Sequence, residues 1–430
     1  MPSSIRYAAT LAALMLSPAA FAADSGDTAW ILSSTALVLF MSLPGLALFY
    51  AGLVRARNVL SVLVQCFAIV CVVSLLWVAF VYSLAFAPGN GWIGGLSKAM
   101  LAGIAKGEIG TLPEPVFALY QLTFAAITPA LVIGGFAERM KFSAILLFSA
   151  LWLVVVYAPV CHWVWADDGW LKARGLLDFA GGTVVHITAG VAALIAALML
   201  GRRQGFPQTP MMPHNMTMTV TGAGMLWVGW FGFNGGSALA ANASAGMAAL
   251  VTHTAAAAGA LAWTALEWSK YKKPSALGLV TGMVAGLGTI TPTAGFVGPG
   301  GALIIGLAAG FVCFYATHCL KRVLKVDDSL DVFPVHGVGG MLGTIAVGVF
   351  ASDALGVFSG GGYAEGMTMG SQLGVQLLGV VVVAAYTAAV TAVLLLAVRA
   401  VLGLRVSEEE ETVGLDTTQH NERGYDLQSL

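Results

Sequence analysis

From about residue 30 to residue 400 the chain alternates long apolar runs with short polar, glycine- or proline-bearing breaks. Eleven runs stand out, at roughly 30–51, 59–86, 115–137, 143–163, 179–200, 216–236, 246–267, 276–293, 300–320, 334–352 and 371–400. About 20 helical residues cross the hydrocarbon core of a bilayer, and most runs reach that length. Membrane-spanning strands show short segments of strict apolar–polar alternation, which is absent here. The pattern predicts an all-α polytopic membrane protein with eleven transmembrane helices. Internal glycines leave the register of the last two or three runs open.

The two ends differ from this middle. Arg6, the apolar stretch Tyr7 to Leu16 and the small-residue site Ala20-Phe21-Ala22 have the layout of a secretory signal peptide over residues 1–22. An uncleaved first helix is the alternative, but this apolar stretch is too short to span. A transmembrane domain is expected over 23–404, followed by a polar tail over 405–430 that carries the acidic run Glu408 to Glu411. Such runs are usually solvated faces or loose tails.

Composition narrows the class. Charged residues make up 10% of the chain and hydrophobic residues 58%, against about 25% charged in a soluble domain. That excludes a disordered chain and an ordinary soluble enzyme. The net charge of -1 carries no nucleic-acid footprint. The 53 glycines suggest closely packed membrane helices. The five cysteines lie in or beside apolar runs and form no CxxC pair, so they read as buried small hydrophobes.

Charge also sets orientation. With the mature N-terminus outside, eleven alternating spans place twelve basic residues in inner loops, including Arg55, Arg139, Arg203, Lys272 and Lys321, and four in outer loops. The positive-inside rule therefore favours N-out, C-in.

Two short stretches resemble each other: Gly181-Gly182-Thr183-Val184-Val185-His186 in the fifth run and Pro334-Val335-His336-Gly337-Val338-Gly339-Gly340 in the tenth. Runs five apart cross in opposite directions. The pair therefore suggests an inverted 5+5 repeat plus one C-terminal helix, which would bring His186 and His336 together near the midplane. A lone intramembrane histidine most often satisfies a core hydrogen bond; two in matched halves point to a shared site. Asp178 reads as a helix N-cap, and also as a source of negative field near the outer mouth. Trp163, Trp165, Trp227, Trp230, Phe231 and Phe233 are ordinary belt residues one by one. Grouped at a pore mouth, rings can hold a cation, and Ser237 can accept a hydrogen bond from it. No phosphate-binding loop, HExxH motif or three-ligand metal set is present.

Across about residues 30–425 the chain resembles the ammonium transporters of the Amt/Mep/Rh type, and within them the bacterial Amt branch. The stretches that carry this are Pro44-Gly45-Leu46-Ala47-Leu48-Phe49-Tyr50-Ala51-Gly52-Leu53-Val54-Arg55, Asp178 to His186, Trp230-Phe231-Gly232-Phe233-Asn234 and Val335 to Gly340. The resemblance implies a homotrimer in the inner membrane, each protomer with its own hydrophobic pore, with no cofactor and no metal. It places ammonium recruitment on Phe124, Trp165 and Ser237, a gate on Phe124 and Phe233, twin pore histidines at His186 and His336, and Asp178 as support for the recruitment site. The segment Gln121 to Thr128 departs slightly from the family beside the gate. The tail, from Gly403-Leu404-Arg405 to Gly414-Leu415-Asp416, resembles the family's regulatory C-terminus, which implies a PII signalling protein as cytoplasmic partner.

The physical task such a pore faces is discrimination between ammonium and potassium, which share one charge and a similar size. An apolar pore imposes a desolvation penalty on any permanent cation, and ammonium escapes it by giving up its proton. Expected transport is ammonia and proton by separate routes, with net uptake of charge. An electroneutral ammonia channel and an ammonium sensor with little flux are the alternatives.

Overall fold

The computed structural model describes residues 23–425. The signal peptide expected over 1–22 lies outside the described residues, as does the end of the tail, 426–430. Eleven long helical segments follow one another: α1 Ser25–Leu53, α2 Ala56–Phe86, α3 Glu114–Phe136, α4 Phe142–Trp165, α5 Gly182–Leu200, α6 over 216–235, α7 Ala243–Tyr271, α8 Ala276–Ile290, α9 Pro299–Val323, α10 Phe333–Phe350 and α11 Met369–Leu402. Among the described residues, nine are long and apolar enough to cross a membrane; α8 is apolar but shorter. This is an all-α polytopic membrane protein, apart from two-residue hairpin pairs at 89–94 and 108–113 outside the helices.

Several helices widen locally. In α1, Pro44 lies in a π-helical turn over Met41–Leu46. Proline has no N–H for the helix ladder, and a widened turn accommodates the missing bond. Similar turns open both α5, at Gly182–Ile187, and α10, at Phe333–Val338. Each therefore displaces its Val-His pair from the regular helical stagger.

Helix α5 is packed among α3, α10 and α11, while α6 lies along α1, and α7 lies along α8 and α9. Glycine permits the approach that matters most. A methyl group at Gly190 would overlap the backbone of Gly337, so α5 and α10 touch backbone to backbone where the turn after His186 meets the residue next to His336. The outer perimeter is apolar, with Leu75, Leu261 and Val381 each more than 60% exposed, as lipid-facing positions require.

Two expectations change. Cys66, Cys161 and Cys313 are buried, but Cys71 and Cys319 are exposed, because they fall on outward faces of α2 and α9. The acidic run is not a loose tail. Residues Glu408–Val413 form α12 and Leu415–His420 form α13, and both Glu411 and Asp416 are buried. The Asp416 carboxylate accepts from the backbone N–H groups of Leu60 (3.1 Å) and Ser61 (2.7 Å), so the tail caps the start of α2.

Candidate functional site

Asp178 precedes α5 rather than opening it, and its carboxylate gathers the free N–H groups of that helix start. It accepts from Gly181 (2.9 Å), Gly182 (2.6 Å), Thr183 (2.7 Å) and Val184 (3.3 Å), and from the Thr183 hydroxyl. The chain can turn this tightly because Gly181 takes φ +114. The cap fixes where α5 starts, and hence where His186 sits, one turn in. The Asp178 carbonyl accepts the Trp165 indole N–H at 3.0 Å, which orients that ring.

Trp165 then lines a cavity of about 160 Å³ together with Phe124, Ser237, Gln121, Phe117, Phe179 and others; it is termed the outer cavity, and the opposite end the inner face, after the orientation that the loop charges favour. Trp165 and Phe124 meet at right angles, with ring centroids 5.7 Å apart and planes at 89°. The Ser237 hydroxyl donates to the Phe233 carbonyl at 2.8 Å. Beneath, Phe124 and Phe233 stack at 4.3 Å and 34°. Both are about 1% exposed, so the stack closes the floor of the outer cavity.

Below the stack is a much narrower space of about 10 Å³, room for one water-sized molecule. It is walled by Met41, Leu46, Phe49, Ile127, Leu131, Val185, Leu226, Trp230, Phe233 and Val284, with His186 and His336 as its only ionisable side chains. The two imidazoles lie 5.2 Å apart at 19°, with Nδ1 to Nδ1 at 3.1 Å. Such a contact requires one ring to donate and the other to accept, so the pair shares one Nδ1–H. His186 Nε2 has no protein partner. His336 also lines a third, inner cavity of about 80 Å³ with Tyr50, Lys321 and Asp331. Outer cavity, ring stack, histidine tunnel and inner cavity thus follow in series.

Residues 29–425 match the Ammonium Transporter Family. The chain belongs to this family. It is 47% identical to the ammonium transporter of Bacillus subtilis, covering 93% of this chain and 98% of that one. It is also 47% identical to a putative ammonium transporter of Methanothermobacter thermautotrophicus over 94% of this chain and 99% of the relative. The crystal structure of Saccharomyces cerevisiae Mep2 superposes with a TM-score of 0.83 at 38% identity, covering 90% and 88% of the two chains. Its relatives therefore span bacteria, archaea and fungi and do not single out the bacterial branch. The protein is an ammonium transporter or channel rather than an enzyme.

Phe124, Trp165 and Ser237 line the outer cavity and Phe233, His186 and His336 the histidine tunnel, while Asp178 lines neither and reaches the outer cavity only through Trp165. Other expectations disperse. Trp163 packs against Trp92 of the α2–α3 connection and Tyr386 of α11, and Trp227 and Phe231 face His253. His162 is fully buried, with its ring nitrogens against the carbonyls of Ala85 (3.0 Å) and Asn90 (2.7 Å). Three contributors escaped sequence reasoning. Tyr120 donates to the carbonyls of Gly232 and Phe233, both at 2.9 Å, and lies 3.3 Å from Ser237 Oγ. Gln121 faces the outer cavity, and the pair Lys321–Asp331 (2.8 Å) stands at the inner one. The spacing of Tyr120, Gln121 and Phe124, all near one face of α3, was the available signal.

The transporter's inner face holds a second buried polar group. Glu138 binds Arg203 (2.5 Å) and Arg55 (2.8 Å), and Arg203 binds Asp327 (2.7 Å). Asn58 donates to Glu138 at 2.8 Å and accepts from the tail N–H of Leu415 at 2.8 Å. Arg405 and the backbone of Gln204 both bind Glu411. Burial opposes ionisation of Glu138, but Arg203 and Arg55 outweigh it and hold its carboxyl down at about 2. Burial and the neighbouring Asp331 push Asp328 up to about 7.

Proposed function

We propose that this transporter takes up ammonium by holding the cation at Phe124, Trp165 and Ser237, removing its proton, and passing ammonia through the Phe124–Phe233 gate and along His186 and His336. Asp178 supports the mouth by orienting Trp165. The proton travels separately, so that net charge enters. The observation that carries this reading is the tunnel itself: one molecule wide, apolar, with two imidazoles as its only ionisable side chains. A permanent cation there loses its hydration with no anionic side chain to replace it. Ammonia loses little, and His186 and His336 offer it both a donor and an acceptor.

The architecture we assign is eleven spans in an inverted 5+5 repeat plus α11, with the mature N-terminus outside, the C-terminus in the cytoplasm and the protein in the inner membrane as a homotrimer of the bacterial Amt branch. Support comes from the matched π-helical turns at both histidines. It also comes from the loops after α1, α3, α5 and α9, which all meet the tail or its ionic network on one face. Residues 1–22 serve as the signal peptide, and residues 405–430 as the regulatory tail on which a PII signalling protein docks.

Purified protein in liposomes tests the transport reading. Adding ammonium should drive a current that potassium does not, and His186→Ala and His336→Ala, made separately, should each abolish that selectivity or the current. Ammonium uptake without current would assign the electroneutral route. Binding without uptake would assign a sensor.

A further inference from the structure

An ammonium ion presents four N–H donors in a tetrahedron. Stripped of water, each needs an acceptor or a ring face. The recruitment site read above supplies three partners: the rings of Phe124 and Trp165 and the oxygen of Ser237. These are committed in a way that leaves no slack. The Trp165 N–H is spent on the Asp178 carbonyl, so only its π face remains. The Ser237 proton is spent on the Phe233 carbonyl, so its lone pairs remain. The Tyr120 hydroxyl proton is spent on the carbonyls of Gly232 and Phe233, and Tyr120 is not part of the cavity wall. One donor of the cation is left over.

One acceptor is left over as well. Gln121 lines the same cavity and is only 8% exposed; its Oε1 is turned away from the open space and has no protein partner. Of the three unpartnered amide oxygens among the described residues, on Gln65, Gln121 and Asn234, only this one belongs to a residue of the cavity wall. A buried amide oxygen without a partner costs about 1–3 kcal/mol, so native proteins rarely keep one idle. Gln121 precedes Phe124 by three residues on α3, which places both on one face of that helix. A terminal amide can also turn end for end about its last bond without disturbing its surroundings. We propose that Gln121 is a fourth recruitment residue, whose side-chain carbonyl accepts an N–H of the ammonium ion held at the outer mouth. This rests on the recruitment-site reading given above. The cation then meets two ring faces and two oxygens, a set matched to directed N–H donors and poor for a spherical ion.

A purely structural glutamine makes the opposite forecast, because an apolar isostere relieves an unpaired buried amide, whereas a buried carboxylate is costly. The test is the half-saturation of ammonium-driven current in liposomes holding the full chain, a quantity independent of how much protein is folded. Gln121→Leu should raise half-saturation about tenfold, while Gln121→Glu, which keeps an acceptor in place, should leave it unchanged or lower. Gln121→Met serves in place of leucine if that variant does not assemble. An unchanged half-saturation in the leucine or methionine variant overturns the proposal. So does a rise in the glutamate variant equal to that in the leucine variant. Ser237→Ala and Trp165→Leu run alongside. If these too leave half-saturation unmoved, the recruitment site itself is wrong; if they raise it and Gln121→Leu does not, only the role of Gln121 falls.

Discussion

The tunnel and the inner face both bury polar side chains, but they treat them differently. At the inner face Glu138, Arg203 and Asp327 are nearly enclosed, and each is matched by opposite charge or by backbone. Along the tunnel and its mouth the polar groups are few and incompletely paired, with His186 Nε2 and Gln121 Oε1 both lacking partners. A buried ion that finds its partners within the chain holds loops and tail together. A buried polar atom that does not is available to a guest only where its residue borders a cavity, as His186 and Gln121 do; Arg139 Nε and Asp328 Oδ1 also lack partners at the inner face, and neither residue borders these cavities.

The largest expected effect lies in the paired region. Glu138→Ala leaves Arg203 and Arg55 facing each other without their shared carboxylate, and removal of one partner of a buried pair costs about 3–5 kcal/mol. A melting temperature in detergent equal to that of the unaltered protein would erase the contrast. Acid reaches the same group. The Glu138 carboxyl sits at about 2 in the folded protein against 4.5 without its surroundings. Its stabilisation is therefore complete above about pH 4.5 and is lost as pH falls through about 2, amounting to ~3 kcal/mol. Melting curves over that range should show the loss in the unaltered protein and not in Glu138→Gln.

The unpaired region should behave the other way. His186→Ala is expected to lower ammonium-selective current at least about tenfold, with the melting temperature kept within about 4 °C. A large fall in melting temperature with current per folded protein preserved would make His186 a structural group. The smallest effect is expected at Tyr120. Tyr120→Phe frees the carbonyls of Gly232 and Phe233 and loosens Ser237, a loss of about 1 kcal/mol. Half-saturation should rise about fivefold with maximal current little changed. A fall in maximal current at constant half-saturation would instead place Tyr120 with the gate.

Much of this was legible in the residues. The apolar runs placed the helices to within a few residues, since the demand for about 20 apolar residues per crossing is imposed by the bilayer and not by neighbours. Asp178 as a cap was legible because capping is local. The tail was misread, since an acidic run is solvated unless something basic covers it. Here Arg405, at the start of the tail, and the backbone of Gln204, from the loop after α5, meet Glu411, and the second of these comes from elsewhere in the fold. The role of His162 was not legible either, because its two carbonyl partners lie more than 70 residues earlier in the chain.

By itself the sequence determined that this is a helical membrane protein of the ammonium transporter family, because hydropathy and motif are properties of short segments. Only the tertiary structure decided that His186 and His336 share a proton, that Phe124 covers Phe233, and that Gln121 joins the cavity wall with its amide oxygen unpaired. Those outcomes depend on where helices cross, and a crossing such as Gly190 on Gly337 is set by the packing of both partners at once.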